Sequence, residues 1–397
     1  TSTPGHGVTR SSYSKEDTLA KEYLIKEMKK LHLDVYEDGI GTIFGRREGT
    51  LTDAPVVMFG SHYDSVVNGG AFDGAAGTVA ALEVMRVLTE EQYENDYPME
   101  LILMNAEEGA TFGPCTGVTN SRAMVGTLTM KELNTVKNRF GQTKLEAMKE
   151  YGLNPDLKSC IRRPGSIKNF VEMHIEQGRY LLDADKPFSI VSCVAGIKQF
   201  YLHFHGTAAH AGGMAMSDRH DALAAAAAVI SAVENLAKEC SKDTRGTVGY
   251  ISVLPCEHNI IPEDVTISVD FRETEDMKWE KLYTDLIEVT KQECAKRGLS
   301  WTVETTCDLR PAHCAPELIH ILEEAAVGTG FEKDRMISFP AHDSMNMSRI
   351  MPMGMLFLRS SNGGLSHCPE EYTTRDDLVI GTQILTNALF IAANREN

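Results

Sequence analysis

The sequence predicts an α/β fold, a doubly wound mixed sheet, interrupted by an inserted ferredoxin-like α+β domain. Two observations predict it. Near both ends of the chain, short continuous apolar runs alternate with helical patterns, as strands buried on both faces by helices require. Between about Ala195 and Pro311 the strand runs alternate apolar with polar residues, so each wants cover on one face only. The expected boundaries are 1–194 with 312–397 for the main domain and 195–311 for the insert. An insert of about 115 residues is close to the usual domain size.

Taken in order, Ser14 caps a helix over "KEDTLAKEYLIKEMKKLHL". Leu19, Tyr23, Leu24, Met28 and Leu31 recur there at helical spacing and predict its buried face. "APVVMFG" reads as a buried strand, and "GAAGTVAALEVMRVLTEE" as a helix packed through small residues. "MELILMNAEEG" and "KNFVEMHIEQG" read as two more buried strands. In the insert, "KQFYLHFHG" puts Phe200, Leu202 and Phe204 on one face. "SDRHDALAAAAAVISAVENLAKEC" is a helix with Ser217 as its cap. "GTVGYISVLP" is a strand, and "DVTISVDFRE" another, with Val265, Ile267, Val269 and Phe271 on its apolar face. A helix ending at Gly298 and the strand "LSWTVETTC" complete a β-α-β-β-α-β order. The α/β pattern then resumes with the helix "PELIHILEEAAVGTG", the strand "PMGMLFLRSS" and a closing helix "RDDLVIGTQILTNALFIAANR".

With 397 residues, 42% hydrophobic and 24% charged, the chain can bury a large core. A net charge of −17 argues against a nucleic-acid or anionic-membrane surface, since either needs a basic patch. Nine cysteines, scattered from Cys115 to Cys368 without a C-x-x-C pair, read as reduced thiols of a cytoplasmic protein. No apolar run reaches the roughly 18 residues of a membrane span, and no signal peptide is visible in a chain that starts at Thr1.

Four segments carry the chemistry. "GSHYDSVVNGGAFDG" places His62, Asp64 and Asp73 in a glycine-rich stretch after the first buried strand. A turn needs Gly, Asn and Asp for backbone reasons but has no need of His. Glu107 and Glu108 follow "LILMNA", His174 and Glu176 close "NFVEMHIEQG", and His367 follows "MLFLRSSNGGLS". Open parallel sheets place their crevice at the carboxyl ends of the strands, so these groups converge on one edge. Histidines mixed with carboxylates suit divalent zinc or manganese. Asp64, two residues past His62, is placed to fix the imidazole tautomer. Asp73 offers two oxygens, enough to bridge two ions. Of the adjacent acids Glu107 and Glu108, one can bind metal while the other stays free as a general base.

These segments, with "HGTAAHAGGMAMSDRHDALAAAA", "NIIPEDVTISVDFRE", "AHDSM" and "GGLSHCPEE", resemble the dinuclear-metal aminoacylase and carboxypeptidase superfamily. The resemblance covers nearly the whole chain. It is nearest to the branch of N-carbamoyl-L-amino-acid hydrolase, allantoate amidohydrolase and β-ureidopropionase. It implies two divalent ions per subunit (Zn, Mn, Co or Ni). His62, Asp73 and His174 would hold one; Asp73, Glu108 and His367 would hold the other. Glu107 would be the general base, with Glu176 next in line, and Asp64 would support the ligands. His174 stands where the superfamily's peptidases usually carry Asp or Glu. The insert would be a lid and dimerisation domain. Within it, His210 would stabilise the oxyanion, and Asn259 and Arg272 would bind a substrate carboxylate. Gln177 is also assigned to the substrate. A homodimer through the insert is implied, and in such dimers a lid residue can belong to the partner's site. "TAAHAG" departs from the commoner glycine before the lid histidine, and "FGPCTGVTNSRAMVG" sets Cys115 and Thr116 near the acid pair, which bears on the substrate side chain.

The expected reaction is metal-dependent hydrolysis of a linear amide or ureido C–N bond in a small-molecule acid. An N-carbamoyl-L-amino acid would give the amino acid, ammonia and carbon dioxide. The alternatives are an aminoacylase or metallo-aminopeptidase on the same scaffold, and a metal-dependent binding protein without turnover. His203 and His205 read as solvent-facing strand positions. His342 and Asp343 read equally as a packed core pair or as support for the ligands. Arg272 has a competing reading as a surface ion pair with Asp270.

Overall fold

The computed structural model describes residues 2, 5–109, 111–113 and 116–394; Cys115 lies outside them. Numbered in chain order, the strands are β1 (Asp34–Glu37), β2 (Ile43–Arg47), β3 (Val56–His62), β4 (Met99–Met104), β5 (Ile167–Ile175), β6 (Phe188–Val194), β7 (Gly196–His205), β8 (Arg245–Thr247), β9 (Ile251–Leu254), β10 (Asp264–Glu273), β11 (Ser300–Leu309), β12 (Ala312–His313), β13 (Arg335–Ser338) and β14 (Met353–Leu358). The chain divides into two compact units, Thr1–Cys193 with His313–Asn397, and Val194–Ala312.

The first unit is built on a mixed sheet ordered β1-β2-β4-β3-β5-β14-β6-β12, with β13 also on β6. Its centre is parallel: β4 with β3, β3 with β5, and β5 with β14. Antiparallel pairs flank it, β1 with β2, β2 with β4, and β14 with β6. Strands β3, β4 and β14 are buried along their whole length, which explains their unbroken apolar runs. Helices cover both faces. On β5, Glu172 accepts from Ser344 on the helix Ser344–Met347, while the next side chain, Met173, packs at Gly381 on the helix Arg375–Asn394. The register sets His62 opposite Met104 and Phe357 opposite His174, so these strands end at one level.

The second unit is an antiparallel sheet ordered β11-β7-β10-β8, with β9 also on β10. Counting β8 and β9 as one interrupted strand, this is the ferredoxin-like order. Phe200, Leu202, Phe204, Val265, Ile267, Val269 and Phe271 are buried against the helices Ala222–Cys240 and Asp276–Arg297. Gly298 ends the second helix in the left-handed conformation, as its sequence predicts.

Local details differ from the sequence reading. The helix Lys15–Lys30 is capped by Ser14 but buries Ala20, Leu24 and Met28, and leaves Leu19 and Tyr23 exposed. Its mixed periodicity allowed a broader stripe than the packing uses. The helix at Ala222 is capped by Asp221, whose side chain accepts from Ala224 N–H, and not by Ser217. Ser217 lies in a separate 3₁₀ turn, Met216–Asp218. The chain is extended at Arg219, and His220 gives its carbonyl to Thr207, so the helix cannot begin earlier. The strand read over "GTVGYISVLP" is broken at residues 248–250 into β8 and β9.

Candidate metal centre

His62 is the last residue of β3, and the helix Ala75–Glu90 begins just after Asp73. Gly74 joins them with φ 60, and a Cβ there would lie 2.3 Å from the His62 ring. Only a bare backbone lets the Asp73 loop close on His62. Asp73 Oδ1 lies 3.3 Å from His62 Nε2 and 3.2 Å from His174 Nε2. Its other oxygen, Oδ2, lies 3.3 Å from His367 Nε2, which is itself 3.3 Å from Glu108 Oε2. Two groups of ligand type therefore form, His62–Asp73–His174 and Asp73–Glu108–His367, and Asp73 belongs to both. His367 alone among the five is substantially exposed, at 49% of its side chain.

Hydrogen bonds fix the tautomers. His174 Nδ1 lies 2.9 Å from the Ile175 carbonyl and must donate to it, so in the neutral ring Nε2 carries the lone pair and accepts from the Gly74 N–H at 3.1 Å. Asp64 Oδ1 lies 3.3 Å from His62 Nδ1. The same carboxylate accepts from Glu107 N–H at 3.1 Å and Glu108 N–H at 3.2 Å, and from Ser12 Oγ. Asp64 thus ties the acid pair to the strand that carries His62. Glu107 belongs to neither ligand group; its Oε2 is 3.9 Å from His62 Nε2.

Burial pushes the Glu107 carboxyl well above the usual range, and repulsion from Glu108 and Asp343 adds to it, against the pull of His62. Burial and the Asp73 charge raise Glu108 to about 7. Burial works to raise Asp73, yet His174, His367 and His62 close around it and hold it well below its usual value. His367 rises to about 9, chiefly through its bond to Asp73. Acids forced to share protons with imidazoles at these distances are a charge set that a divalent cation matches.

The residues fit such ions. Both groups combine imidazole nitrogen with carboxylate oxygen, a donor set suited to zinc or manganese. Glu108 Oε1 is buried without a hydrogen-bond partner. Its unmet capacity lies in the second group.

The remaining sequence-predicted residues fall as follows. Gln177 adopts φ 58, and its Nε2 donates to Asp73 Oδ2 at 2.7 Å. Glu176 uses both oxygens on the N–H groups of Tyr180 and Leu181, which removes it from the role of reserve base. His342 and Asp343 are buried, and His342 packs edge-on against His174 at 4.6 Å. His210, Asn259 and Arg272 belong to the second unit. His210 Nδ1 accepts from Gly212 and Gly213 N–H at 3.1 Å each, so its proton sits on Nε2. Asn259 is exposed and gives its carbonyl to Ala211 N–H. Arg272 grips Asp270 in a two-point pair, 3.1 Å from Nε and 3.0 Å from Nη2. His203 and His205 make cross-strand contacts with Thr266 and Asp264. Sequence reasoning gave no role to Glu371, which holds the loops of Asp73 and His367; its position four residues after His367 was the available signal.

Comparison with known proteins shows the family. The profile of peptidase family M20/M25/M40 matches residues 58–390. The chain is 38% identical to an N-carbamoyl-L-amino acid amidohydrolase of Geobacillus stearothermophilus, across 99% of this chain and 95% of that one. It is 32% identical to an allantoate amidohydrolase of Bacillus subtilis (strain 168), across 97% and 92%. The crystal structure of an amidase of the hydantoinase/carbamoylase family from Burkholderia multivorans superposes with a TM-score of 0.86 at 30% identity, covering 100% of this chain and 95% of that one. The profile match spans both groups, and the relatives align over nearly the full length: the chain belongs to peptidase family M20/M25/M40.

Proposed function

We propose that this amidohydrolase uses two divalent ions to cleave the linear ureido C–N bond of an N-carbamoyl-L-amino acid or an allantoate-like acid. The observation that carries this reading is the pair of ligand groups sharing Asp73, with Glu107 partly buried beside them and a member of neither. His62, Asp73 and His174 would hold one ion, and Asp73, Glu108 and His367 the other. When bound, such ions polarise a carbonyl and lower the pKa of water. Glu107 takes the proton of the attacking water and returns it to the leaving nitrogen. His210 would offer Nε2–H to the developing oxyanion. Asn259 and Arg272 would bind the substrate carboxylate, the planar Arg272 fork by two parallel bonds. Gln177 would complete the substrate contacts.

The substrate class is carried over from the relatives and is supported by His174 in "HIEQG". The Arg272–Asp270 pair favours one other reading: a substrate carboxylate must compete with Asp270 for that fork, which a peptide or acyl substrate anchored elsewhere would not. Ammonia release from allantoate, N-carbamoyl-β-alanine and several N-carbamoyl-L-amino acids, beside dipeptide and N-acyl substrates, separates the two. Each is assayed with zinc, manganese, cobalt and nickel. Release of ammonia from none of the ureido acids sinks the proposal.

We further assign the chain to a homodimer formed through the second unit. Mixing His210→Ala with Glu107→Gln chains tests whether His210 acts across it, because one restored site per mixed dimer returns activity only in that case. No helix among the described residues is long and apolar enough to cross a membrane. The eight cysteines among them are free, which suits a reducing cytoplasm.

A further inference from the structure

Glu371 is 4% exposed and lies outside both ligand groups. Its carboxylate accepts four hydrogen bonds. Oε1 takes Phe72 N–H at 2.8 Å and Asp73 N–H at 2.9 Å. Oε2 takes Ser366 Oγ–H at 2.7 Å and His367 N–H at 3.3 Å. That is two donors on each oxygen, close to the full capacity of a carboxylate. The donors come from two loops far apart in the chain, and each loop contributes the backbone N–H of a ligand residue.

The fit is close on both sides. A Cβ at Gly70 would lie 2.0 Å from the Glu371 carboxyl, so the glycine lets the Asp73 loop press onto it. His367 adopts φ 58, a left-handed conformation that a side chain rarely takes, and Glu371 holds the N–H of that residue. Ser366 Oγ lies between the two carboxylates, also 2.9 Å from Asp73 Oδ2. Glu108 is fixed separately, through Asp64. His62 and His174 sit on strands and have their own anchors in Asp64 and the Ile175 carbonyl.

We propose that Glu371 is a positioning residue of the Asp73–Glu108–His367 group, setting the separation of Asp73 and His367 by clamping both loops. The proposal rests on the two-ion reading above. It predicts a selective effect. Losing the acceptor on the His367 side loosens the ion held with His367 more than the ion between His62 and His174, because an amide can keep its oxygen toward the Phe72 and Asp73 N–H groups and the two imidazoles have their own anchors.

The test is Mn²⁺ binding by the full chain, loaded and then equilibrated at graded free Mn²⁺, for wild type, Glu371→Gln and Ser366→Ala. In Glu371→Gln the new amide N–H faces the His367 N–H, donor against donor. The weaker of the two ions should need roughly 10- to 100-fold more free Mn²⁺ for half occupancy, the usual cost of losing a partner behind a ligand. The tighter ion should change less, and the metal-free variant should melt below the wild type, since buried donors lose their acceptor. Ser366→Ala, which removes one donor of four and keeps the carboxylate, should weaken the same ion by less. Should Glu371→Gln fail to fold, Glu371→Asp, which keeps the charge but draws it back from both loops, takes its place. Equal weakening of both ions, or none in either variant, overturns the proposal. A wild type that takes up only one ion contradicts the two-ion reading itself, and the proposal falls with it.

Discussion

Asp73 lies 3.2 Å from His174 Nε2 through one carboxylate oxygen, and turns its second oxygen toward His367. Both oxygens are thus committed, one to each ligand group. Asp73→Ala should therefore abolish binding of both ions, whereas His367→Ala should spare the ion shared with His62 and His174. Elemental analysis after dialysis counts the ions. Two ions retained by Asp73→Ala contradict the shared role.

Glu107→Gln keeps the shape of the site and removes the proton acceptor. Both ions should stay bound, while kcat falls roughly 10²- to 10⁴-fold. Metal content and turnover are read on the same sample. Near-normal turnover would move the base elsewhere, and Glu176 is not available, since both of its oxygens hold backbone N–H groups.

Lys144 gives a pH signature away from the ligands. Its buried ammonium donates to Thr116 O at 2.7 Å and Thr119 Oγ1 at 3.0 Å, and burial lowers its pKa to about 8. An unfolded lysine keeps its proton up to about 10.4. Between these values the unfolded state carries one proton more, so stability rises with pH there, by at most about 1.4 kcal/mol per unit. Wild type should gain on Lys144→Met from pH 8 to pH 10 in urea melts. A constant difference would show that the group does not titrate in that window.

Arg272→Lys should reduce kcat/KM on a free ureido acid, because an ammonium cannot make the planar two-point contact. Losing one charged hydrogen-bond partner costs about 1.5–3 kcal/mol, or roughly ten- to more than a hundredfold. The carboxamide of the same substrate should be poor for wild type and little worse for the variant. If the variant keeps the preference of the wild type between acid and amide, Arg272 serves Asp270 and not the substrate.

The clustering of His62, Asp73, Glu108, His174 and His367 was legible because parallel strands dictate where their ends point. His62 and His174 close apolar runs, Glu107 and Glu108 follow another, and the sheet order brings those ends to one level. The ferredoxin-like order was legible for a related reason: the alternation in Val265–Phe271 survives packing unchanged. What depended on partners far along the chain was not. Arg272 alternates with Asp270 on one strand face, and spacing alone cannot say whether the fork turns to its neighbour or to a ligand. The strands β1, β2 and β6 were missed; β1 is largely exposed, although "EDGIG" marks the turn that joins it to β2. Glu371 stood within a noted motif, yet its role exists only because the Asp73 loop folds back onto it.

The most direct measurement is ammonia released from an N-carbamoyl-L-amino acid and from allantoate, before chelation, after removal of metal, and after Mn²⁺ is restored. Turnover of at least one ureido acid should vanish with the metal and return with it, and Asp73→Ala should stay inactive throughout. Ammonia release that survives complete metal removal, or a restored enzyme that hydrolyses dipeptides and no ureido acid, would contradict the assignment.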